Sequence, residues 1–250
     1  MKAGIDCIAG GSVRMRQAIR DRISRRTFTE EVLQEKEIKQ IKEKILQLNQ
    51  ESGLTVEFRF DGREVFAARS KSYGLFKNVC SLVIMKGPAS DPALKEKIGY
   101  YGEELVLDLT DMGLGTCWVA GTFERKLIEV PGGEEMYCVI PVGHIEKVTL
   151  REKMLRSAVS KKRKSVAERL TGAADAPQWV IEAMEAVQLA PSAVNSQHPI
   201  FHFAEGKVTA DVVDNSPTDL IDLGIAKRNF AEAAGGQFEM GNGGAFCGKE

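Results

Sequence analysis

The spacing of apolar residues predicts helices that alternate with short buried strands along most of the chain. One aliphatic stripe recurs at three- and four-residue intervals between lysines and glutamates, as in an amphipathic helix: Ile38, Ile41, Ile45 and Leu48. We expect this helix to begin near Thr27 or Thr29, because either side chain can cap it and because Glu30 and Glu31 suit its positive end. A shorter helix is predicted before it, over 13–23.

The middle of the chain combines strand patterns with one long helix. Residues 54–66 alternate like a strand, a turn at Asp61-Gly62 and a second strand. The apolar runs 79–85 and 136–144 predict buried strands. Between them, Asp91-Pro92 is a typical helix start and Gly113 a typical helix end.

The last third of the chain again combines helix and strand patterns. Residues 177–190 predict an amphipathic helix, 199–214 a hairpin, and 218–236 a helix that ends in a glycine pair. The glycine-rich tail is left unassigned. Residues 19–33 and 155–170 also share an aliphatic, an Arg, a Ser and a basic pair in step. This echo indicates an internal duplication whose halves pack as a pseudo-dimer, with chance similarity of basic helix ends as the alternative.

Composition narrows the class of protein. The 250 residues carry a net charge of -1, which argues against a dedicated nucleic-acid binder. The five cysteines are scattered and have no C-x-x-C spacing, which favours reduced thiols over disulfides or a metal site. No apolar run approaches the ~20 residues of a membrane helix, so we expect a cytoplasmic protein without membrane contact.

Two basic clusters could bind a phosphate. Arg22, Ser24 and Arg26 stand at a helix junction, and Lys161 and Arg163 lie far along the chain. Arginine forks match phosphate oxygens, so the two clusters could hold one phosphate if the fold brings them together. Taken alone, each is more often a solvated charged segment.

Two further stretches complete a candidate ligand set. The sequence GLGTCWVAG (113–121) has small residues that let a backbone approach a ligand closely, although a plain helix end and loop is the alternative. The sequence APSAVNSQHP (190–199) supplies hydroxyl and amide groups, although a turn would use the same residues. A phosphate clamp, an edge of amides and a close backbone approach together fit flavin mononucleotide (FMN).

In this order, the motifs resemble those of the nitroreductase family of FMN-dependent oxidoreductases. The match is strongest to members in which one chain carries two half-units and mimics the usual homodimer. The family patterns are matched by Arg22, Ser24, Arg26 and Phe28; by Gly113–Trp118 with Gly121; by Pro141–His144; by Lys161 and Arg163; and by Pro191, Ser192, Asn195 and Gln197. His198-Pro199 departs from the usual Pro-Trp. The P-S-x-x-N stretch also follows the G-L-G motif, whereas it precedes that motif in single-unit relatives.

The resemblance implies an α+β fold, with mostly antiparallel sheets flanked by helices and two pseudo-symmetric halves. It implies an N-terminal segment over 1–14 and half-units over 15–150 and 151–250, with one FMN between them. The chain would then be a monomer that mimics a homodimer, and further dimerisation stays open.

The resemblance also implies roles for individual residues. Arg22, Ser24, Lys161 and Arg163 would hold the phosphate, and Arg26 would lie near the pyrimidine end of the ring. Pro191, Ser192, Asn195 and Gln197 would contact the ribityl chain and the ring edge. A backbone N–H near Ala120 or Gly121 would point at flavin N5. No catalytic side chain and no metal are expected, because the flavin carries the chemistry.

The implied activity is a ping-pong reaction in which NADH or NADPH reduces FMN, and a nitroaromatic, a quinone or another electron-poor small molecule is then reduced. A flavin-binding protein with little turnover, used for sensing or storage, is the alternative. A flavin-free structural relative would be colourless when purified.

Overall fold

The computed structural model describes residues 15–67, 75–148, 150, 153–154, 157 and 163–248, in which helices alternate with short strands. The helices are α1 (Gln17–Asp21), α2 (Glu35–Ser52), α3 (Arg63–Ala67), α4 (Leu94–Asp111), α5 (Val166–Arg169), α6 (Gln178–Leu189) and α7 (Asp219–Ala234). The strands are β1 (Glu57–Arg59), β2 (Ser81–Pro88), β3 (Gly115–Thr116), β4 (Glu134–Gly143), β5 (Leu170–Thr171), β6 (Ile200–Ala204), β7 (Lys207–Asp211), β8 (Gly236–Phe238) and β9 (Phe246–Gly248).

Antiparallel pairing dominates the sheets. The first sheet has the order β1-β2-β4-β3, and every neighbouring pair in it is antiparallel. The second sheet has the order β5-β6-β7, with β5 parallel to β6 and a β6–β7 hairpin. β8 and β9 form a separate antiparallel pair. The predicted α+β class with mostly antiparallel sheets is therefore confirmed, whereas the boundaries 1–14, 15–150 and 151–250 and the duplication stay predictions.

The start of the second helix differs from the prediction. α2 begins at Glu35, and its capping box joins Gln34 to Glu37, whose carboxylate accepts from the Gln34 N–H at 2.7 Å. Thr27 is instead in an extended segment and forms a β-bridge with Lys77. The prediction was wrong because tertiary pairing draws the backbone before α2 into a strand-like conformation.

Other local predictions were also corrected. α1 spans Gln17–Asp21 within the described residues, so its C-terminal end lies before the predicted residue 23. After Asp61-Gly62 the chain forms the short helix α3 in place of a second strand, and consecutive Val65 and Phe66 are both buried. A strand that faces the core on one side cannot bury two successive side chains in that way. The unassigned tail contains β9, which pairs with β8 just before the tail.

The centre of the molecule is the crossing of α4 and α7. A Cβ atom on Gly99 would lie 2.0 Å from the Ile221 carbonyl oxygen, and one on Gly224 would lie 2.0 Å from the Glu96 carbonyl oxygen. The two backbones therefore touch at a distance that only glycine allows. Lys227 donates to Glu96 at 2.6 Å beside this contact, and both side chains are buried.

Further hydrogen bonds satisfy the polar groups of this buried ion pair. Glu96 also accepts from the Gly241 N–H at 2.8 Å, and Lys227 also donates to the Gly241 carbonyl at 2.8 Å. A buried ion pair offsets its desolvation only when its remaining hydrogen-bonding positions are filled. The pair therefore ties the C-terminal tail to the crossing of the two helices.

Two further features bear on the class of protein. Within the described ranges, no helix has the length and apolar character required to cross a bilayer. The cysteines that the structure describes, namely Cys80, Cys117, Cys138 and Cys247, are free thiols.

The helix crossing can be tested by adding one methyl group. Gly224→Ala should lower the free energy of unfolding by on the order of 1–3 kcal/mol or more, because the new Cβ forces the backbones apart. Gly132→Ala is the matched control, since a Cβ there would meet nothing within 4 Å. Urea unfolding measures both variants, and equal stability of the two would contradict the tight crossing.

Candidate functional site

A cavity of about 330 Å³ brings together residues that are distant in sequence. It is lined by Ile19, Arg20, Arg22, Ile23, Ser24, Arg26, Arg163, Leu189, Ala190, Pro191, Ser192, Val194 and Asn195. The two basic clusters therefore meet, with Arg22 from the end of α1 and Arg163 from the segment before α5. Lys161, which the sequence places in the second cluster, lies outside the described residues.

A second cavity of about 270 Å³ adjoins the first. Both cavities are lined by Ser24, Arg26, Pro191, Ser192 and Val194. The second is also lined by Trp118, Val119, Ala120, Gly121, Thr122, Cys138, Ala193, Thr218, Ile221, Asp222 and Ile225. We call the two cavities together the cleft; it has a cationic end at Arg20, Arg22 and Arg163 and a more apolar end at α7.

The extended segment after α1 explains why alternate residues reach the cleft. Ser24 forms a β-bridge with Thr116, and the Arg25 N–H donates to the Thr116 carbonyl at 2.8 Å. Side chains alternate along such a strand-like segment. Ser24 and Arg26 therefore face the cleft, whereas the buried Arg25 donates to the Glu146 carbonyl at 3.0 Å.

Arg22 has a partner that the sequence patterns did not reveal. Its Nε lies 3.9 Å from Oε1 of the fully buried Glu103 on α4. Glu103 also accepts from Trp118 Nε1 at 2.9 Å and from Asn229 Nδ2 at 3.3 Å. Burial raises the pKa of Glu103, and Arg22 opposes this shift. Glu103 therefore connects a cation at one end of the cleft with Trp118 at the other.

The loop 191–197 forms the wall that both cavities share. Val194, Asn195 and Gln197 have φ values of 47°, 57° and 51°, in the left-handed region that non-glycine residues rarely adopt. Within the loop, Ser192 Oγ accepts from the Gln197 N–H at 3.1 Å. The side chain of Val194 is 100% exposed at the mouth of the cleft. Such a conformation persists only where surrounding contacts hold it.

Gln197 is placed differently from its predicted contact with the ring edge. Its side chain is buried, its Oε1 accepts from the Lys164 N–H at 3.0 Å, and it is not among the described residues that line the cleft. Lys164 Nζ donates to the Gln197 carbonyl at 3.1 Å, and Gln188 Nε2 donates to the Lys164 carbonyl at 3.0 Å. These bonds join the loop 191–197 to the segment that carries Arg163.

Comparison with known proteins identifies the family. The family described as "Putative TM nitroreductase" matches residues 14–234 of this chain. The chain belongs to this nitroreductase family. No curated protein matches the sequence.

Among solved structures, one matches nearly the whole chain and two others match about half of it. A "putative nitroreductase" from Thermotoga maritima MSB8 superposes with a TM-score of 0.61 at 18% identity, over 98% of this chain and 97% of that one. An FMN-dependent nitroreductase from Clostridium difficile R20291 has a TM-score of 0.43 at 18% identity, over 53% of this chain and 88% of that one. An iodotyrosine deiodinase bound to FMN and 3-iodo-L-tyrosine has a TM-score of 0.43 at 16% identity, over 54% and 91%.

Asp222 is the cleft residue that the sequence patterns missed most clearly. It lies in the first turn of α7 and is buried, and its carboxylate accepts from the Ala193 N–H at 3.0 and 3.1 Å and from Ser196 Oγ at 3.2 Å. Burial raises the pKa of Asp222 to about 6, with a smaller contribution from Asp219, while these hydrogen bonds and His198 oppose the shift. An acidic residue inside the otherwise apolar run 220–226 was the signal available in the sequence.

The pKa of Asp222 predicts how stability depends on pH. Because the folded pKa exceeds the ordinary value of 3.8, the folded state binds this proton more tightly than the unfolded chain. The resulting stabilisation is complete below about pH 4 and is lost as the pH rises through about 6, which amounts to up to about 3 kcal/mol.

Asp222→Asn removes this titration. The stability of the variant relative to the native protein should therefore rise between about pH 4 and pH 7. Urea unfolding at several pH values measures the difference, and Asp214→Asn, at an exposed position, is the control. A difference that stays constant with pH would contradict the assigned shift.

Proposed function

We propose that the protein is an FMN-dependent oxidoreductase that takes electrons from NADH or NADPH and reduces nitroaromatic, quinone or similar electron-poor acceptors in a ping-pong reaction. One observation carries the proposal. Arg22 and Arg163, 141 positions apart in the chain, line one cavity, and this cavity continues past Ser24 and Arg26 to Ala120 and Gly121. Membership of the nitroreductase family supports the same reaction class.

The chemistry of the cleft fits FMN at both ends. Arg20, Arg22 and Arg163 offer guanidinium donors for a phosphate, for which planar forks are well suited. The other end combines the apolar residues Ile221 and Ile225 with the indole of Trp118, a suitable lining for a flat ring system. Ser192 and Asn195 lie between the two ends and can hydrogen-bond the ribityl chain and the ring edge.

Bound FMN would supply the capacity to accept a hydride and to return two electrons to a second substrate. The residues of the chain would bind and orient it. Arg26 lines both cavities, and a cation there would stabilise negative charge on the pyrimidine end of the ring. The backbone near Ala120 and Gly121 would face N5. Burial raises the pKa of the Cys138 thiol, so this group stays neutral beside the cleft.

Spectroscopy of the purified protein tests the proposal. The protein should bind FMN, and NADPH or NADH should bleach the flavin absorbance under anaerobic conditions, because a nicotinamide that stacks on the bound ring can transfer a hydride to it. A nitroaromatic or a quinone should then restore the absorbance. Flavin that binds but is not bleached would favour the sensing or storage alternative, and a protein that takes up no FMN would refute the proposal.

Arg163→Ala should weaken FMN binding by about 10- to 100-fold, because a charge-assisted hydrogen bond to the phosphate is lost. Riboflavin, which lacks the phosphate, should lose little affinity in the same variant. Flavin fluorescence quenching measures both dissociation constants. Lys42→Ala, an exposed substitution on α2 with the same charge change, is the control. Equal weakening for FMN and riboflavin would argue against a phosphate contact.

Gly121→Leu should block the apolar end of the cleft without unfolding the protein. A Cβ at Gly121 would meet nothing within 4 Å, so the fold has room for a side chain, which would then occupy the space of the ring. We expect FMN affinity to fall at least about 10-fold while the unfolding midpoint changes little. Gly132→Leu is the control, since that glycine is equally open. Unchanged FMN affinity would place the ring elsewhere.

A further inference from the structure

The loop 191–197 requires an anchor, because its conformation is unfavourable by itself. Val194 and Asn195 both have positive φ, and Val194 is β-branched and fully exposed, so its own side-chain packing does not hold it there. Yet Ser192 and Asn195 line the cleft from this loop. Contacts made from outside the loop therefore add to the hydrogen bonds within it in holding these groups toward the cleft.

Asp222 makes those contacts on both sides of the strained pair. Its two carboxylate oxygens accept from the Ala193 N–H, which precedes Val194, and Oδ2 accepts from Ser196 Oγ, which follows Asn195. One side chain thus spans the left-handed turn. Both oxygens of this side chain are therefore engaged by the loop, and one of them is sufficient to accept from the Ala193 N–H.

The helix that carries Asp222 is itself fixed. Gly224, two residues later, touches the backbone of α4 at Glu96, so α7 cannot shift without disrupting the central crossing. Asp222 therefore holds the loop from a fixed position. Asp219, one turn earlier on the same helix, accepts from His198 Nδ1 at 2.8 Å and so binds the residue that follows the loop.

The charged surroundings of Asp222 come from several elements. Asp219 lies on the same helix, His198 lies beyond the loop, and Arg169 at the end of α5 contributes a buried positive charge. Cys138 on β4 lines the second cavity together with Asp222, and burial raises the pKa of its thiol, which is therefore neutral. Arg169 donates to the Val187 carbonyl at 3.0 Å and to the Pro199 carbonyl at 3.3 Å. These two bonds fix the guanidinium group, whose positive charge therefore acts on Asp222 from a constant position.

We propose that Asp222 is a positioning residue for the flavin site, which holds the loop 191–197 so that Ser192 and Asn195 face the cleft. This inference rests on the proposed binding of FMN, which it deepens by naming a residue that acts through the loop. Burial of a carboxylate is costly unless it is well hydrogen-bonded, and here its bonds are made to the strained loop.

Three variants test the role. Asp222→Ala removes all acceptors and should raise the FMN dissociation constant about 10-fold or more. Asp222→Asn keeps a carbonyl oxygen for the Ala193 N–H and should restore the affinity to within about 3-fold of the native protein. Asp214→Asn, which removes an exposed charge close to α7, should bind FMN as the native protein does.

The outcomes separate positioning from other roles. The inference is overturned if Asp222→Ala binds FMN as tightly as the native protein. It is equally overturned if Asp222→Asn is as weak as Asp222→Ala, because charge would then matter and the hydrogen bond to the loop would not. Should Asp222→Ala fail to fold, Ser196→Ala replaces it: this variant removes one bond and should weaken FMN binding about 3-fold, and no weakening would count against the inference.

A measurement without flavin distinguishes this inference from the proposed function. Hydrogen exchange at the Ala193 amide should be faster in Asp222→Ala than in the native protein, because the amide loses its acceptor. Unchanged exchange would overturn the inference even if FMN binds. Faster exchange in a protein that does not bind FMN would refute the proposed function and leave Asp222 as the anchor of the loop.

Discussion

The close approach of α4 and α7 at Gly99 and Gly224 is the constraint on which the remaining structure depends. Backbone contact at this crossing leaves no space for a side chain, so the two longest helices near the cleft have one available arrangement. The buried Lys227–Glu96 pair then fixes the tail, and Glu103 on α4 joins Trp118 and Asn229. Groups that serve the cleft are thus attached to the same rigid centre.

The crossing of α4 and α7 also determines the geometry of the cleft. α4 supplies Glu103 behind Arg22, and α7 supplies Ile221 and Ile225 as an apolar wall. The first turn of α7 also supplies Asp222, which spans the left-handed turn in the loop 191–197. A ligand site made of an extended segment and a strained loop would be poorly defined without such supports. Both supports here are buried carboxylates whose pKa values are raised by desolvation.

The placement of Gln197 shows that neighbouring residues of one motif can make different contacts. Ser192 and Asn195 line the cleft, whereas Gln197 turns away and bonds the Lys164 backbone. The positive φ values of Val194 and Asn195 redirect the chain, so residues only two positions apart in this loop can face different neighbours. The amide therefore connects the loop 191–197 with the segment that carries Arg163, and each segment can restrict the position of the other.

The sequence by itself determined the elements whose pattern is local and the order of the motifs. The periodicity of 177–190 and 218–236 predicted α6 and α7, and the alternation in 199–214 predicted the β6–β7 hairpin. The sequence also identified Arg22 and Arg163 as cations suited to one ligand, although it did not show that they line the same cavity. These signals are readable because burial of one face imposes a fixed period on neighbouring residues.

Only the tertiary structure decided which distant groups share a site. The delayed start of α2, the placement of Gln197 and the roles of Glu103 and Asp222 all arise from contacts between segments far apart in the chain. Glu103 stands beside Glu104 in an amphipathic helix and Asp222 interrupts the apolar run 220–226, and neither pattern shows which groups lie opposite these carboxylates. Local propensity describes one element at a time, whereas the cleft is created where several elements pack together.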